Sequence, residues 1–358
     1  PILRPLYFKA VSLFKLNIIP FQTMKKFALL GAGHIHTPGF VKKLNKRNDL
    51  KIISVWDHDQ IRAQQNADLL KSESVRDYTS VLENPDLDAV IICSETNLHE
   101  EIIMKVAEAK KHCFVEKPLG MGQQDSERMM TALENSGVMF QTGYFSRSNP
   151  VYRKLKQLID NGTFGTISRI RLNNCHDGLR RNVFDDYLWM TDLNQAGAGA
   201  FGDLGTHVLD LLLWFMSDLE SVTATLSSPL NRYPGCDESG EALLKFKSGV
   251  IASIAAGWVD IAQPFTVIVS GTEAHAHMNQ KEIYLKSNNI PGADGETALK
   301  NLPEALPHAF DLFLNAVVSG KNENLVPVRE AAYRSTVMEA IYKAVSEKSW
   351  VTVKPYSN

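Results

Sequence analysis

The sequence predicts an α/β protein with a doubly wound parallel sheet in its first part and a larger, mostly antiparallel sheet in its second part. Between about residues 24 and 143, short apolar strands alternate with amphipathic helices, which is typical of βαβ units. After residue 144, strand-like runs follow one another with only Gly, Pro and Asn turns between them. Sequential strands without intervening helices indicate antiparallel pairing, so the fold class changes at this point.

Length and composition limit the classes of protein to which the chain can belong. A chain of 358 residues exceeds one ordinary hydrophobic core and indicates two domains. The net charge of −2, without a long run of one sign, indicates no nucleic-acid surface. No apolar run reaches the roughly 18 residues that a membrane-spanning helix needs. The four cysteines form no CxxC pair, so we interpret them as reduced thiols of a cytoplasmic protein and expect neither disulfides nor a bound metal.

The first residues of the chain differ from the rest. Residues 1–23 are basic and apolar but lack the continuous apolar core and the small-residue cleavage site of a signal peptide. Met24 and two lysines stand immediately before a predicted strand. We therefore interpret residues 1–23 as an extension outside the fold, followed by domains over residues 24–143 and 144–358.

The first predicted strand, Phe27–Leu30, runs into a glycine turn and a helix over residues 38–45. Gly31 permits the tight turn, and Gly33 lets the backbone approach a pyrophosphate at the helix N-terminus. These are features of the Rossmann dinucleotide-binding fingerprint. His36 replaces its third glycine, which normally allows close packing of helix on strand.

The second strand, Leu50–Trp56, ends at Asp57. A carboxylate at about this distance after the glycine turn binds the adenosine ribose hydroxyls of a dinucleotide. Neither Arg nor Lys follows Asp57 directly, so a 2′-phosphate would meet unpartnered negative charge, and we predict NAD rather than NADP. The alternative role of Asp57 is the N-cap of a helix over residues 60–70, and the two roles can coexist.

The fourth strand of this part brings two charges to its carboxyl end. Glu116 and Lys117 follow a short apolar run, and Pro118 cannot continue a central ladder. Ligands bind outside the carboxyl ends of strands in open α/β sheets, so Lys117 is placed to touch a substrate. The alternative is an ordinary strand exit with solvated charges.

The predicted elements after residue 70 are a strand over residues 88–93, a helix over 97–109, a strand over 112–116, a helix over 123–135 and a strand over 139–142.

In the second part, one helix carries chemistry. The stretch Gly197–Trp214 places Asp203 and His207 four residues apart, hence one turn apart on one helix face. A carboxylate beside an imidazole holds one tautomer and suits acid/base chemistry near neutral pH. The alternative is a capping aspartate and a core histidine.

The other predicted elements are helices over residues 151–160, 309–319 and 328–346 and strands over residues 166–174, 221–227, 241–246, 251–258, 265–270, 274–278 and 282–285.

Together these stretches resemble the glucose–fructose oxidoreductase and inositol dehydrogenase (Gfo/Idh/MocA) family from Met24 onward. The motifs that carry the resemblance are Gly31–Gly33, Pro85–Val90, Thr96–His99, Glu116–Pro118, Gly143–Tyr144 with Arg147, Asn149–Pro150 and Asp203–His207. The resemblance implies a Rossmann domain over residues 24–143 and an α/β domain over residues 144–358, whose open sheet supports homodimers or homotetramers. It also implies that the Lys117–Pro118 peptide bond is cis.

The resemblance further implies hydride transfer between NAD, with NADP less favoured, and a secondary alcohol or ketone of a sugar, polyol or related compound. By the same resemblance, Lys117 is the catalytic lysine, Asp203 is its paired aspartate, which orients the imidazole, and His207 is the general acid/base. The residues expected to bind the cofactor are Gly31, Gly33, His34, Ile35, Asp57, Ser94, Asn97, His99, Glu116 and Lys117. The residues expected to bind the substrate are Lys117, Tyr144, Arg147, His176, Trp189, Asp203 and His207, with Asp177 as a further pocket candidate.

Two other functions remain open at the level of the sequence. One is a non-catalytic protein that senses NAD or a sugar, and the other is a glycosidase that oxidises and re-reduces its sugar through bound NAD. Retention of Lys117, Asp203 and His207 favours a dehydrogenase over the sensor. Besides His36, the chain departs from the family at Glu95, where many relatives have Pro; neither departure removes a catalytic group.

Overall fold

The structure is a computed structural model that describes residues 24–355. The predicted extension over residues 1–23 lies outside the described residues. No helix within residues 24–355 combines the length and the apolar character needed to cross a membrane.

The first part of the chain forms a parallel sheet with helices on both faces. Its elements are β1 (Lys25–Leu30), α1 (Thr37–Leu44), β2 (Leu50–Trp56), α2 (Gln60–Leu70), β3 (Glu73–Val75), α3 (Tyr78–Leu82), β4 (Ala89–Ile92), α4 (His99–Glu108), β5 (His112–Val115), α5 (Gln123–Ser136) and β6 (Phe140–Thr142). The strand order is β3-β2-β1-β4-β5-β6, and every pair is parallel. The order reverses between β1 and β4, and ligands bind at such a switch point. The predicted doubly wound sheet is confirmed.

The second part forms one large, mostly antiparallel sheet. Its elements are α6 (Pro150–Asp160), β7 (Ile167–Cys175), α7 (Leu193–Ala196), α8 (Ala200–Phe215), β8 (Leu219–Ser227), β9 (Ser239–Phe246), β10 (Ile251–Gly257), β11 (Phe265–Gly271), β12 (Ala274–Met278), β13 (Ile283–Ser287), β14 (Asp294–Ala298), α9 (Ala309–Ser319), α10 (Val328–Glu347) and β15 (Val351–Thr352). The order is β14-β13-β12-β11-β7-β10-β9-β8-β15, and β7 pairs with β10 in parallel. Helix α8 covers one face at β7 and β10.

Helix α9 returns from the second part of the chain to the core of the first. Phe310 stacks on Phe40, with ring centroids 4.1 Å apart, and meets Phe114 edge-on at 5.1 Å. The predicted boundary after residue 143 therefore separates the two sheets but not the two cores. Amphipathic periodicity predicted this helix with its observed bounds, but periodicity does not indicate which sheet an apolar face will cover.

This packing makes Phe310 part of the stability of the first domain. Phe310→Ala is expected to lower the free energy of unfolding by about 3–5 kcal/mol, because the ring is fully buried and leaves a cavity. Ile61→Ala on α2, where the side chain is 72% exposed, is the control and should stay within about 0.5 kcal/mol of the parent chain. Denaturant unfolding measures both, and equal effects of the two substitutions would place α9 outside the core.

Candidate functional site

The candidate site lies where the carboxyl end of β5 meets the first turns of α8. Lys117 follows β5 directly, and its Nζ lies 2.5 Å from Asp203 Oδ1 and 3.2 Å from the Asp203 carbonyl oxygen. The Lys117 side chain is 3% exposed. The Lys117–Pro118 peptide bond is cis, as the family resemblance implied. The two residues predicted to act together are thus joined by a buried ion pair that links the two domains.

Asp203 is held as a carboxylate by groups from both domains. Burial alone would raise its pKa, but the Lys117 ammonium outweighs burial and holds the pKa of Asp203 well below its usual range. The second carboxylate oxygen accepts a hydrogen bond from Trp258 Nε1 at 3.0 Å. Trp258 follows β10, and the sequence analysis missed it because only the pairing of β7 with β10 brings this position to the site. Asp203 therefore fixes the position of the Lys117 ammonium.

His207 lies one turn further along α8 and is 5% exposed. Its ring lies 5.1 Å from the Phe145 ring, and its Nδ1 has no hydrogen-bond partner among residues 24–355. Burial, with a further contribution from Lys117, lowers the pKa of His207 well below its usual value. The imidazole is therefore neutral and able to accept a proton. The Asp203 oxygens accept hydrogen bonds from Lys117 and Trp258 in this structure, so the expectation that Asp203 orients the imidazole of His207 stays a prediction.

The glycine turn takes the shape that the fingerprint predicts. Gly31 has a φ of +79°, and a Cβ there would lie 2.5 Å from the Cβ of Ser94, so only glycine fits. The carbonyl oxygen of Gly33 accepts a hydrogen bond from Trp189 Nε1 at 2.8 Å. Trp189 therefore lies over the turn, and together with Lys117 it lines the cleft that contains Asp203.

Asp57 is buried at the end of β2, but it is not free of basic neighbours. Its two oxygens accept hydrogen bonds from Arg62 Nε and Nη2, each at 2.8 Å, and from the backbone N–H of Ala32 at 2.7 Å. The sequence analysis missed Arg62 because it considered only the residues directly after Asp57, whereas the first turn of α2 brings Arg62 back. The N-cap of α2 is Asp59, which accepts from the N–H groups of Ile61 and Arg62. The alternative N-cap role of Asp57 is therefore wrong.

Glu95 has a direct structural consequence for the dinucleotide groove. Its Oε1 accepts from Arg62 Nη2 at 2.8 Å, and its Oε2 is buried without a hydrogen-bond partner among the described residues. A Cβ added to Gly33 would lie 2.8 Å from that Oε1 and 3.0 Å from the Arg62 guanidinium. The Arg62–Glu95 pair therefore packs against Gly33 at the place where a side chain would stand.

Glu116 and two histidines lie beneath the same turn. Glu116 Oε1 lies 3.1 Å from His36 Nδ1, and Glu116 Oε2 accepts from the backbone N–H of Lys117 at 2.9 Å. Burial alone would raise the pKa of Glu116, but His34 and His36 outweigh burial and hold it well below its usual range. Burial lowers the pKa of His34 to about 3. The side chain that replaces the third glycine is thus turned toward the carboxyl end of β5.

The other residues expected to bind the cofactor differ in their burial and contacts. His99 is buried, and its Nδ1 donates to the carbonyl oxygen of Leu119 at 3.0 Å, so it braces the loop after Lys117. Ser94 is buried under Gly31, whereas Asn97 is exposed. Ile35 is half-buried on the turn itself.

The residues expected to bind the substrate also differ in their contacts, and several are bound to other parts of the protein. The Tyr144 hydroxyl is 3.0 Å from Thr206 Oγ1 on α8, and burial raises its pKa, so this side chain packs beside His207. His176 Nδ1 accepts a hydrogen bond from the backbone N–H of Gly178 at 2.9 Å. Burial lowers the pKa of His176 below its usual value, and the nearby Asp203 only partly opposes this effect. Asp177 is paired with Arg181 at 2.6 Å.

Arg147 does not reach the cleft as an available cation. Its guanidinium donates to both oxygens of Asp210 and to Glu330 at 2.7 Å, and Arg334 pairs with the same two acids. In this structure Arg147 joins α8 to α10, and its expected role in substrate binding stays a prediction. The sequence alone does not indicate whether a charged residue near a family motif contacts a ligand or another helix.

Profiles of one protein family match both domains. The profile described as "Oxidoreductase family, NAD-binding Rossmann fold" matches residues 25–144, and the one described as "GFO/IDH/MocA C-terminal domain" matches residues 152–277. Together the two ranges take in more than half of the chain.

Individual relatives have low sequence identity to the chain but align with most of its length. The chain is 29% identical to the uncharacterized oxidoreductase YrbE of Bacillus subtilis over 63% of this chain and 65% of that protein. It is 29% identical to the myo-inositol 2-dehydrogenase of Thermotoga maritima over 64% of this chain and 67% of that protein. The chain thus spans about two thirds of the length of these relatives. An inositol dehydrogenase homolog from Azotobacter vinelandii, solved with NAD+, shares the fold with a TM-score of 0.79 at 16% identity, over 92% of this chain and 97% of that chain. The chain belongs to the Gfo/Idh/MocA family of oxidoreductases, and its first domain is an NAD-binding Rossmann domain.

Proposed function

We propose that the protein catalyses reversible hydride transfer between NAD and a secondary alcohol carbon of an uncharged sugar or polyol. The observation that carries this proposal is the buried Lys117–Asp203 ion pair, with the neutral imidazole of His207 one helical turn away. An alcohol needs a cation and a nearby proton acceptor as it becomes a carbonyl, and Lys117 and His207 are residues of these two types. The relative named for myo-inositol supports a polyol as the class of substrate.

The residues of the first domain fit a dinucleotide. Gly31 makes the turn without a side chain, the turn offers the backbone N–H groups of Gly33 and Ile35, and Asp57 stands at the end of β2 where a ribose would lie. Bound NAD supplies the hydride acceptor in alcohol oxidation and the hydride donor in the reverse direction.

The chain's own groups handle the proton and the charge. His207 takes the proton of the substrate hydroxyl on a ring nitrogen, because its lowered pKa leaves the imidazole neutral. The Lys117 ammonium stabilises the negative charge that develops on the oxygen. Trp258 donates to the Asp203 carboxylate, which in turn positions Lys117, so the ammonium needs little reorganisation during the reaction.

The charges around the cleft favour an uncharged substrate. Among the described residues that line it, Lys117 is the one basic side chain, apart from His34, and it is already paired with Asp203. Arg147 is taken by Asp210 and Glu330. A phosphate or carboxylate on the substrate would therefore enter without a free cation to meet it, which is costly in a buried site.

The cellular setting and assembly are part of the same proposal. The four cysteines are unpaired thiols, which supports a cytoplasmic setting, and the net charge of −2 supports a small molecule rather than a nucleic acid as the partner. The outer face of the large sheet exposes Leu243 on β9 and Ile251 on β10, at 45% and 56%. Leu243 pairs with Ser253 and Ile251 with Lys245, so the two apolar side chains are diagonal neighbours, and their exposure supports a homodimer or homotetramer built on this face.

A substrate screen tests the proposal directly. Neutral sugars and polyols, their keto forms, sugar phosphates and uronates are each assayed with NAD(H) by the absorbance of reduced nicotinamide. We expect turnover with members of the neutral class and at least about tenfold lower kcat/KM with phosphorylated or carboxylated counterparts. Binding of NADH without turnover of any compound would favour the sensor, and net cleavage of a glycoside without redox change would favour the glycosidase.

Substitution of the catalytic groups tests the roles assigned to them. Lys117→Met and His207→Asn should each lower kcat by on the order of 10²–10⁴, because one removes the charge beside the developing alkoxide and the other removes the proton acceptor. NADH affinity, measured by fluorescence titration, should stay within about threefold, since neither side chain contacts Asp57 or the glycine turn. Lys105→Met, an exposed lysine on α4, is the control. Turnover close to that of the parent chain in either variant would mean that the wrong residues are named.

Cofactor preference tests the ribose assignment. NADH should bind at least about tenfold more tightly than NADPH, a difference of about 1.4 kcal/mol, because Asp57 and Glu95 both oppose a 2′-phosphate and already hold Arg62. Asp57→Asn should narrow this ratio of affinities, since it removes one carboxylate and leaves Arg62 paired with Glu95 alone. Asp59→Asn removes the same charge two residues away while keeping an N-cap residue, so its ratio should match that of the parent chain. Equal affinities in the parent chain, or the same ratio after Asp57→Asn, would contradict the assignment.

A further inference from the structure

Three metal-ligating side chains converge beneath the glycine turn. His34 and His36 come from the turn, and Glu116 comes from the carboxyl end of β5. One ligand atom from each residue lies within 4.8 Å of the other two. The sequence analysis expected no metal, because it judged metal sites by cysteine spacing, and a site shared between residues 34–36 and residue 116 leaves no such pattern.

The donor atoms are in the form that a metal needs. His34 Nδ1 accepts a hydrogen bond from the backbone N–H of His36 at 3.2 Å, so this nitrogen carries a lone pair rather than a proton. Glu116 Oε1 lies 3.1 Å from His36 Nδ1 and 4.0 Å from His34 Nδ1. One carboxylate oxygen thus lies within 4.0 Å of two imidazole nitrogens, one of which carries a lone pair.

An ordinary hydrogen bond accounts for only part of this arrangement. A His36–Glu116 hydrogen bond explains the 3.1 Å contact, but it leaves a second imidazole nitrogen facing the same oxygen. His34 and Glu116 are 2% and 1% exposed, whereas His36 is 40% exposed. Two donors are therefore fixed in the interior, and the third lies at an opening through which an ion can enter.

We propose that His34, His36 and Glu116 form a binding site for a divalent transition-metal ion, with Zn²⁺ as the best fit. Two imidazole nitrogens and one carboxylate oxygen are a donor set that Zn²⁺ accepts, with a fourth position left for water. Mg²⁺ and Ca²⁺ prefer ligand sets made of oxygen atoms and fit poorly.

Small movements complete the coordination. Metal–ligand distances of about 2.0–2.1 Å place the donors of a tetrahedral Zn²⁺ roughly 3.3 Å apart. The His36–Glu116 contact already has this length, and the His34–Glu116 contact of 4.0 Å must shorten by about 0.7 Å. His34 must also give up its hydrogen bond from the His36 N–H, which is one weak bond of 3.2 Å.

Metal titration of the full chain after chelator treatment tests the site. Co²⁺ should bind with a stoichiometry of one per chain and give visible ligand-field absorption, which Zn²⁺ then abolishes by displacement, whereas Mg²⁺ does not. His36→Gln and Glu116→Gln should each weaken Co²⁺ and Zn²⁺ binding at least about tenfold. Circular dichroism and the Tm confirm that each variant is folded.

The chain offers a matched control for adventitious binding by histidine. His275 and His277 on β12 form another pair of neighbouring imidazoles, with ring centroids 6.3 Å apart, far from the turn in sequence. His277→Ala should leave the affinity unchanged. Loss of binding in His277→Ala, with binding kept in His36→Gln, would overturn the proposal, as would the absence of binding in the parent chain.

X-ray absorption of the Zn²⁺-loaded parent chain provides a test that does not depend on the folding of any variant. The expected shell contains two histidine nitrogens and light oxygen donors at about 2.0–2.1 Å. A shell without histidine, or one containing sulfur from a cysteine, would overturn the assignment.

Discussion

The buried ion pair between Lys117 and Asp203 is the interaction on which the site depends. Burying two charges is costly, and the cost is recovered only when the geometry is good and the remaining polar atoms are satisfied. Here the Asp203 carbonyl accepts from the same ammonium, and Trp258 satisfies the second carboxylate oxygen. Removing either partner would leave an uncompensated charge in the interior. The pair therefore requires β5, α8 and the end of β10 to be held in one fixed relation.

Two further sets of contacts maintain that relation. Helix α9 packs Phe310 against both Phe40 and Phe114, so a segment from the second half of the chain belongs to the core of the first domain. Arg147 and Arg334 share Asp210 and Glu330, which ties α8 to α10 through buried charge pairs. Arg147, which the family resemblance assigned to the substrate, thus joins α8 to α10 in this structure. Side chains locked on helices and strands keep a reactive geometry better than side chains on loops.

Much of the fold could be predicted from the sequence, because helices and strands with a buried face have apolar residues at regular intervals. The apolar run Leu50–Trp56 and the helix Ala309–Ser319 were predicted with their observed bounds. The three-residue strand β3 was missed because it is too short to show a period, and the five-residue helix α3 for the same reason. The glycine turn and Lys117 were predictable because local geometry fixes their chemistry: a positive φ at Gly31, and the exit of a parallel strand at Lys117.

The rest of the site depends on partners that lie far apart in the sequence. Arg62 reaches Asp57 through a helical turn, Trp258 reaches Asp203 through strand pairing, and Arg147 faces two acids rather than the cleft. Periodicity encodes which face is buried but not which partner a polar group finds there. For this reason the sequence could indicate the position of Lys117 at the end of a strand but not its partner contacts, as the hydrogen bond from Trp258 to Asp203 shows.

The most direct measurement of the central claim is a double-mutant cycle across the ion pair. The kcat of the parent chain, Lys117→Met, Asp203→Asn and the double variant is measured with one neutral substrate and saturating NAD. If Asp203 acts by positioning Lys117, the second substitution adds little to the first, and the double variant loses less than the product of the single losses by at least about tenfold, or about 1.4 kcal/mol of coupling. Losses that multiply without coupling would contradict the account.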